Sequence, residues 1–271
     1  RRSSRISFAR RKAKSGRRGL SYLVPASGSL MGEHGAPPPG WADDSLTRFL
    51  DDAYKNRWTS FANKPSASGL LVRIDRCYTT VLADWADPEP AVAALLAYRS
   101  HAAFRASCEH ALAGQVTEVW PTLRACLEFA GYSLHLAKNP NLIEIWLRRH
   151  DDAASTEAVL KAFVAKNIRA TIKDGDPNTE AVYSELYQRA IDFGAHPNER
   201  AVTSSLSITK SAGKTAFNQS YLVGDGLSLE HGLKSVAQAG VCAINIFQLA
   251  YPSRFAEVRM SDEPLALREG L

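Results

Sequence analysis

Leu123, Leu127, Ala130, Leu134 and Ala137 follow one another at intervals of four, three, four and three. An α-helix gathers residues so spaced onto one face, whereas a strand would scatter them over two. The same period recurs from Trp41 onward, so the chain can bury its apolar side chains only by packing helix against helix. Asp44 or Ser45 is placed to cap a helix carrying Leu46, Phe49, Leu50, Ala53 and Tyr54 on one face. After the break NKPSASG, a second face runs through Leu70, Leu71, Ile74, Tyr78, Val81, Leu82 and Trp85. The DPEP stretch at 87–90 ends that helix and opens another, which runs to Gly114.

Pro121 suits the first turn of the helix that carries the leucine stripe, and Asn139-Pro140 ends it. A short helix LIEIWLRRH follows, then one helix through Val159, Leu160, Phe163, Val164 and Ile168. The loop signal DGDPN precedes a helix from Thr179 to about Phe193. Residues 197–226 are rich in Ser, Thr and Gly, and SLSITK with KTAFNQSYL around SAG fits either a small hairpin or a long loop. A last helix spans Ser228 to Tyr251. The expected fold is all-α: a single bundle of about seven or eight helices, with a Ser/Thr/Gly-rich loop or small hairpin before the last one. Residues 1–40 are expected to be a basic disordered leader, 41–256 the helical domain and 257–271 a loose polar tail.

The formal net charge of +5 comes from that leader. Its first 18 residues hold nine Arg and Lys and no acid, and removing them leaves 24 basic against 28 acidic residues, a net of −4. A globally basic nucleic-acid surface is therefore excluded for the folded part. The leader itself fits a basic arm or a transit-like segment. A third reading is a stretch that translation from Met31, the first methionine, would delete.

Cys77, Cys108, Cys126 and Cys242 form no CxxC pair and sit in apolar helical patterns, which suits free thiols in a reducing, cytoplasmic compartment. No HExxH spacing occurs, and neither a metal nor a cofactor is expected. No apolar run reaches the length of a membrane span; VCAINIFQLA at 241–250 fits a buried helix, and no membrane partner is expected.

One stretch invites a chemical reading. In YSELYQRAIDFGAHPN, Glu185, Arg189, Asp192 and His196 fall on one side of the helix if it continues that far. An Arg followed by His near the end of a helix in an all-helical chain resembles the signature of the HEPN superfamily. The His-Pro helix end is also similar to those of uncharacterised bacterial helical proteins. The resemblance implies a metal-independent ribonuclease working as a dimer, with His196 moving the proton of the ribose hydroxyl or leaving oxygen and Arg189 stabilising charge on the phosphate. Here Ala190 stands where the family usually has a polar residue.

The bland alternative is a helix stop, since Gly194 and Pro197 end helices and Glu185 with Arg189 has ordinary ion-pair spacing. Arg–His pairs at such spacings occur twice, as Arg105/His110 and Arg189/His196, and this arginine content yields about one or two by accident. A second candidate is a polar pocket from Arg124, Glu128 and His135, a stripe in which Gly131 leaves a gap. It serves helix register, or a small-molecule enzyme using Glu128 and His135. The leading expectation is a non-catalytic module that binds an unknown protein partner or itself as a homodimer. The alternative is the ribonuclease, the only reading under which RNA is a partner.

Overall fold

The computed structural model describes residues 37–271 apart from Ala212 and Gly270. Residues 1–36 of the expected leader, Met31 among them, lie outside the described residues. Twelve α-helices and one two-stranded sheet make up the described chain, in agreement with the all-α expectation. The first four are long: α1 Ser45–Asn63, α2 Pro65–Leu82, α3 Ala91–Ala113 and α4 Val116–Lys138. Shorter helices follow, α5 Leu142–Leu147, α6 Ala153–Ala162, α7 Ala165–Gly175 and α8 Pro177–Ala190, the last running into a π turn at Ile191–Ala195. After α9 Glu199–Thr203 comes a hairpin of β1 Leu206–Ser211 and β2 Lys214–Gln219, then α10 Leu227–Ala250, α11 Pro252–Glu257 and α12 Glu263–Ala266.

Local chemistry sets many of these boundaries. Asp44, Asp152, Asp176 and Asn198 cap α1, α6, α8 and α9, their side-chain oxygens accepting first-turn N–H groups that have no partner inside the helix. Pro65 and Pro177 open α2 and α8, where a missing N–H costs nothing.

Three boundaries differ from expectation. The expected break NKPSASG is helical from Pro65 onward, where α2 begins. Helix α4 begins at Val116, so Pro121 lies inside it rather than in its first turn. The helix expected through Val159 and Ile168 is two, α6 and α7, broken at Phe163–Val164. Phe163 and Ile168 are both buried, yet five residues put them about 140° apart on an unbroken helix. The break lets both enter the core.

Helix α10 occupies the middle of the bundle and touches α2, α3, α4 and α8. It is the one helix among the described residues long and apolar enough to cross a membrane, and 67% of its most apolar window is buried inside the protein. Its burial on all sides explains that composition. Gly240 is the point of closest approach: a Cβ there would lie 2.6 Å from Phe104 Cε2 on α3 and 2.8 Å from Ile74 Cγ2 on α2.

The chain after residue 256 is not a loose tail. Leu267 is fully buried, and just before that segment Arg254 donates to the Val81 carbonyl at 2.9 Å and to that of Ala83. Pro264 is buried too, and Val258, Met260 and Leu271 pack against the core, so apolar burial along the segment docks it. The hairpin is the opposite case. Its register pairs Ile208 with Phe217, both exposed, and nearly every side chain in it faces solvent. It returns to the bundle where Val223 N–H donates to the Gly114 carbonyl at 2.8 Å.

Candidate functional site

Asp176 starts α8 and thereby sets which residues face inward: Tyr183, Leu186 and Ala190 are buried. Arg189 falls between core and solvent. Its Nη1 donates to Gln238 Oε1 at 2.8 Å and Ser235 Oγ at 3.4 Å on α10, and its Nη2 pairs with Glu185. Inside the π turn the backbone leaves helical geometry at Gly194, whose φ of +149° lies where side-chain-bearing residues are strained. Pro121 removes the N–H that would have bonded the Thr117 carbonyl, and Gly194 backs onto that oxygen: a Cβ at 194 would sit 3.3 Å from it.

His196 follows in extended backbone, exposed, and no hydrogen bond joins it to Arg189. Asp192 accepts from Gln188 at 2.8 Å. Of the four residues expected on one face, the structure brings Arg189 and Glu185 together and leaves Asp192 and His196 with other surroundings.

His231, in the second turn of α10, feels the Arg189 charge. Burial lowers its pKa first, and the Arg189 charge lowers it further. Its ring lies 5.4 Å from Trp120 and 5.5 Å from Phe193, which are themselves 5.2 Å apart. Arg200 covers the Phe193 ring at 5.5 Å. These rings, with Ser204, Ser205 and Ser228, line a cleft of 80 Å³. That cleft holds a water or two rather than a nucleotide. Sequence spacing could not find this group, because its members come from α4, the π turn and α10.

The residues expected as one polar pocket are divided. Arg124 Nε donates to Glu128 Oε1 at 2.9 Å, and the Tyr187 hydroxyl accepts from Arg124 at 3.0 Å and donates to the same Glu128 oxygen at 2.9 Å. His135 stands apart: its Nδ1 is 2.7 Å from Thr171 Oγ1, and its buried Nε2 has no hydrogen-bond partner among the described residues. Burial lowers its pKa, and the Ala162 backbone offsets this only in part. The gap at Gly131 is filled from across the bundle by Ile168 and Tyr183, which a Cβ would meet at 2.7 and 3.2 Å. That plug keeps Glu128 and His135 separate.

A further ionic group was not expected. Asp75 on α2 accepts from His101 Nε2 at 2.6 Å and from Arg105 Nε at 2.6 Å and Nη2 at 2.8 Å. The buried His101 ring stacks on Tyr78 at 4.7 Å. Burial would push the Asp75 carboxyl up, but the Arg105 and His101 hydrogen bonds outweigh it and hold the carboxyl far below its usual range. Burial lowers the His101 pKa more than Asp75 raises it, so at neutral pH the ring is uncharged and donates Nε2–H. The arginine fork therefore supplies the charge that keeps Asp75 ionised. The legible signal was that Asp75 is the only acid in α2, set between core positions Ile74 and Tyr78.

All four thiols are free, and burial pushes each one up, that of Cys77 to about 12, so none is a ready nucleophile. Among the described residues no three His, Cys, Asp or Glu side chains lie close enough to hold a metal ion.

Helix α1 departs from a sealed surface. Phe49, Ala53 and Ser60 face the bundle, and Asn56 Nδ2 donates to the Ala113 carbonyl at 3.2 Å. Leu46, Leu50, Tyr54, Trp58 and Phe61 form an outward stripe, with Leu46 63% and Trp58 65% exposed. The Tyr54 and Trp58 rings contact each other at 4.7 Å. The expected apolar face of α1 is therefore wider than its neighbours can cover. No family model, no curated protein and no solved structure matches this chain.

Proposed function

We propose that this chain is a non-catalytic helical module that pairs with a second copy of itself through the outer face of α1. The observation that carries this reading is the stripe Leu46, Leu50, Tyr54, Trp58 and Phe61, which repeats once per helical turn and faces solvent along the whole helix. Exposed apolar side chains scattered singly need no explanation, but a continuous stripe of five marks an interface. It offers roughly 500 Å² per copy, so a pair buries on the order of 1,000 Å², where specific interfaces begin.

The charge pattern chooses the second copy and its direction. Asp51 and Asp52 precede Tyr54, and Lys55 and Arg57 follow it. A two-fold axis at Tyr54 sets the acids of one copy against the bases of the other, whereas a parallel pair would oppose like charges. Lys55 and Arg57 already have partners in their own chain, Asp51 at 2.5 Å and Glu109 at 2.7 Å, so pairing extends these contacts into a network rather than burying unpaired charge. The buried free thiols suit a reducing, cytoplasmic setting.

Light scattering of the full chain tests the proposal. The expected mass is twice 29.6 kDa, falling to that of one chain in Trp58→Glu with unchanged helical circular dichroism. Tyr54→Cys, at the axis, cross-links to itself on oxidation, and Leu46→Cys does not. A wild-type chain that is monomeric overturns self-pairing, and a dimer indifferent to Trp58→Glu moves it off α1.

The second reading is the metal-independent ribonuclease that the HEPN resemblance implies, relocated by one observation. The Arg189 charge lowers the pKa of His231, on the neighbouring α10. Cleavage of RNA in EDTA, lost in His231→Ala and kept in His196→Ala, is its expected signature. Equal background from wild type and His231→Ala removes it.

A further inference from the structure

A cavity of 240 Å³ lies between α8, α10 and the C-terminal segment. It is independent of the α1 face. We propose that it is a binding site for a small monocarboxylate with an apolar body. Its apolar wall is Val182, Val241 and Cys242, and its polar wall is three carboxamides, Asn178, Gln238 and Asn245, with Arg268 alongside. The volume fits a ligand on the order of ten non-hydrogen atoms, below the drug-sized range.

Asn245 is the observation that asks for a ligand. It sits on the central helix, 9% exposed, and makes no hydrogen bond among the described residues. A carboxamide so deeply buried is normally satisfied, because leaving one without a partner is costly. The group it lacks is not supplied by the surrounding helices, and its side chain opens on the cavity.

The neighbouring groups select the ligand's charge. Gln238 Oε1 accepts from Arg189; an arginine can only donate, so the Gln238 oxygen points that way and its amide N–H groups remain for the cavity. Arg268 is exposed and makes no ion pair among the described residues. The acid beside it, Asp176, is turned into its own helix, accepting from the N–H groups of Asn178 and Thr179 at 3.1 Å and from the Thr179 hydroxyl at 2.5 Å.

Among the described residues, no Asp or Glu side chain lines the cavity. Amide donors with one guanidinium fit a carboxylate head, and one cation balances one negative charge. Among the lining side chains an amine would meet the like charge of Arg268, with the one nearby acid, Asp176, already occupied by its own helix, and a phosphate dianion would be left half compensated. The head then lies between Arg268 and Asn245 and the apolar body against Val182 and Val241.

The test is calorimetric titration of the full chain with benzoate and hexanoate, alongside benzamide and benzylamine. The expected result is saturable binding of at least one carboxylate, with benzamide at least tenfold weaker and benzylamine not bound. Arg268→Met and Asn245→Leu each weaken carboxylate binding at least tenfold. Arg268 is exposed, so its variant folds as the wild type does and keeps the test valid if Asn245→Leu does not. Failure of both carboxylates to bind overturns the proposal. So does binding that survives Arg268→Met, or a preference for the amine. None of these outcomes bears on pairing through α1.

Discussion

Gly240 stands where α2, α3 and α10 meet, and it has room for a hydrogen and nothing larger. A methyl group there would press on the Phe104 ring and on Ile74, both fully buried and neither free to retreat. Gly240→Ala is expected to lower stability by about 1–3 kcal/mol, against the gain that replacing a helical glycine usually brings. Urea denaturation measures it, and a stabilised variant would mean that the three helices are farther apart than described. Single residues were also where sequence reasoning was weakest. Asp75 could be noticed as the only acid on its helix, but its two partners lie on α3, and no pattern within α2 points to them. His196 and Arg189 looked adjacent because a helical projection assumes that the helix continues; Gly194 turns the chain before it does. His231 and Asn245 carried no local signal, since what distinguishes them is which other helices they face.

At the scale of elements, most of the fold was legible. Apolar period, aspartate caps and proline starts specify the long helices, because these are local effects that act within one turn. The exceptions have tertiary causes. The break between α6 and α7 answers the need to bury both Phe163 and Ile168, and nothing in that stretch is a breaker residue. Pro121 was read as a helix start, yet α4 continues upstream of it because the orphaned Thr117 carbonyl can face Gly194. The apolar period of α1 was visible, but not that only part of it would be covered. The hairpin could equally have been a loop: its strands alternate weakly, and with both faces in solvent no core constrains them.

The molecule as a whole responds to pH in one direction. His101, His135 and His231 all have lowered pKa values, chiefly through burial. The unfolded chain therefore takes up these protons at a higher pH than the native state does, and stability falls as pH drops below the ordinary histidine value of 6.5. Asp75, Asp176 and Glu180 are lowered as well, so their contribution is present above the ordinary carboxylate range and lost on acidification through it. The melting temperature is expected to decline from pH 8 to pH 5 and then more steeply below about pH 4. A profile flat across pH 8 to 5 would mean that the three histidines are as accessible to protons in the folded state as in the unfolded one.

The central position of α10 also governs how the protein comes into being. The ribosome finishes α2, α3 and α4 by residue 138, yet the helix they close around ends at residue 250. At ordinary rates of synthesis this leaves roughly 5 to 20 seconds in which three completed helices can pack on one another but the faces that α10 will cover stay open. The nascent chain passes through that interval on every round of translation, so chaperone occupancy and protease sensitivity are concentrated there, before α10 has been made.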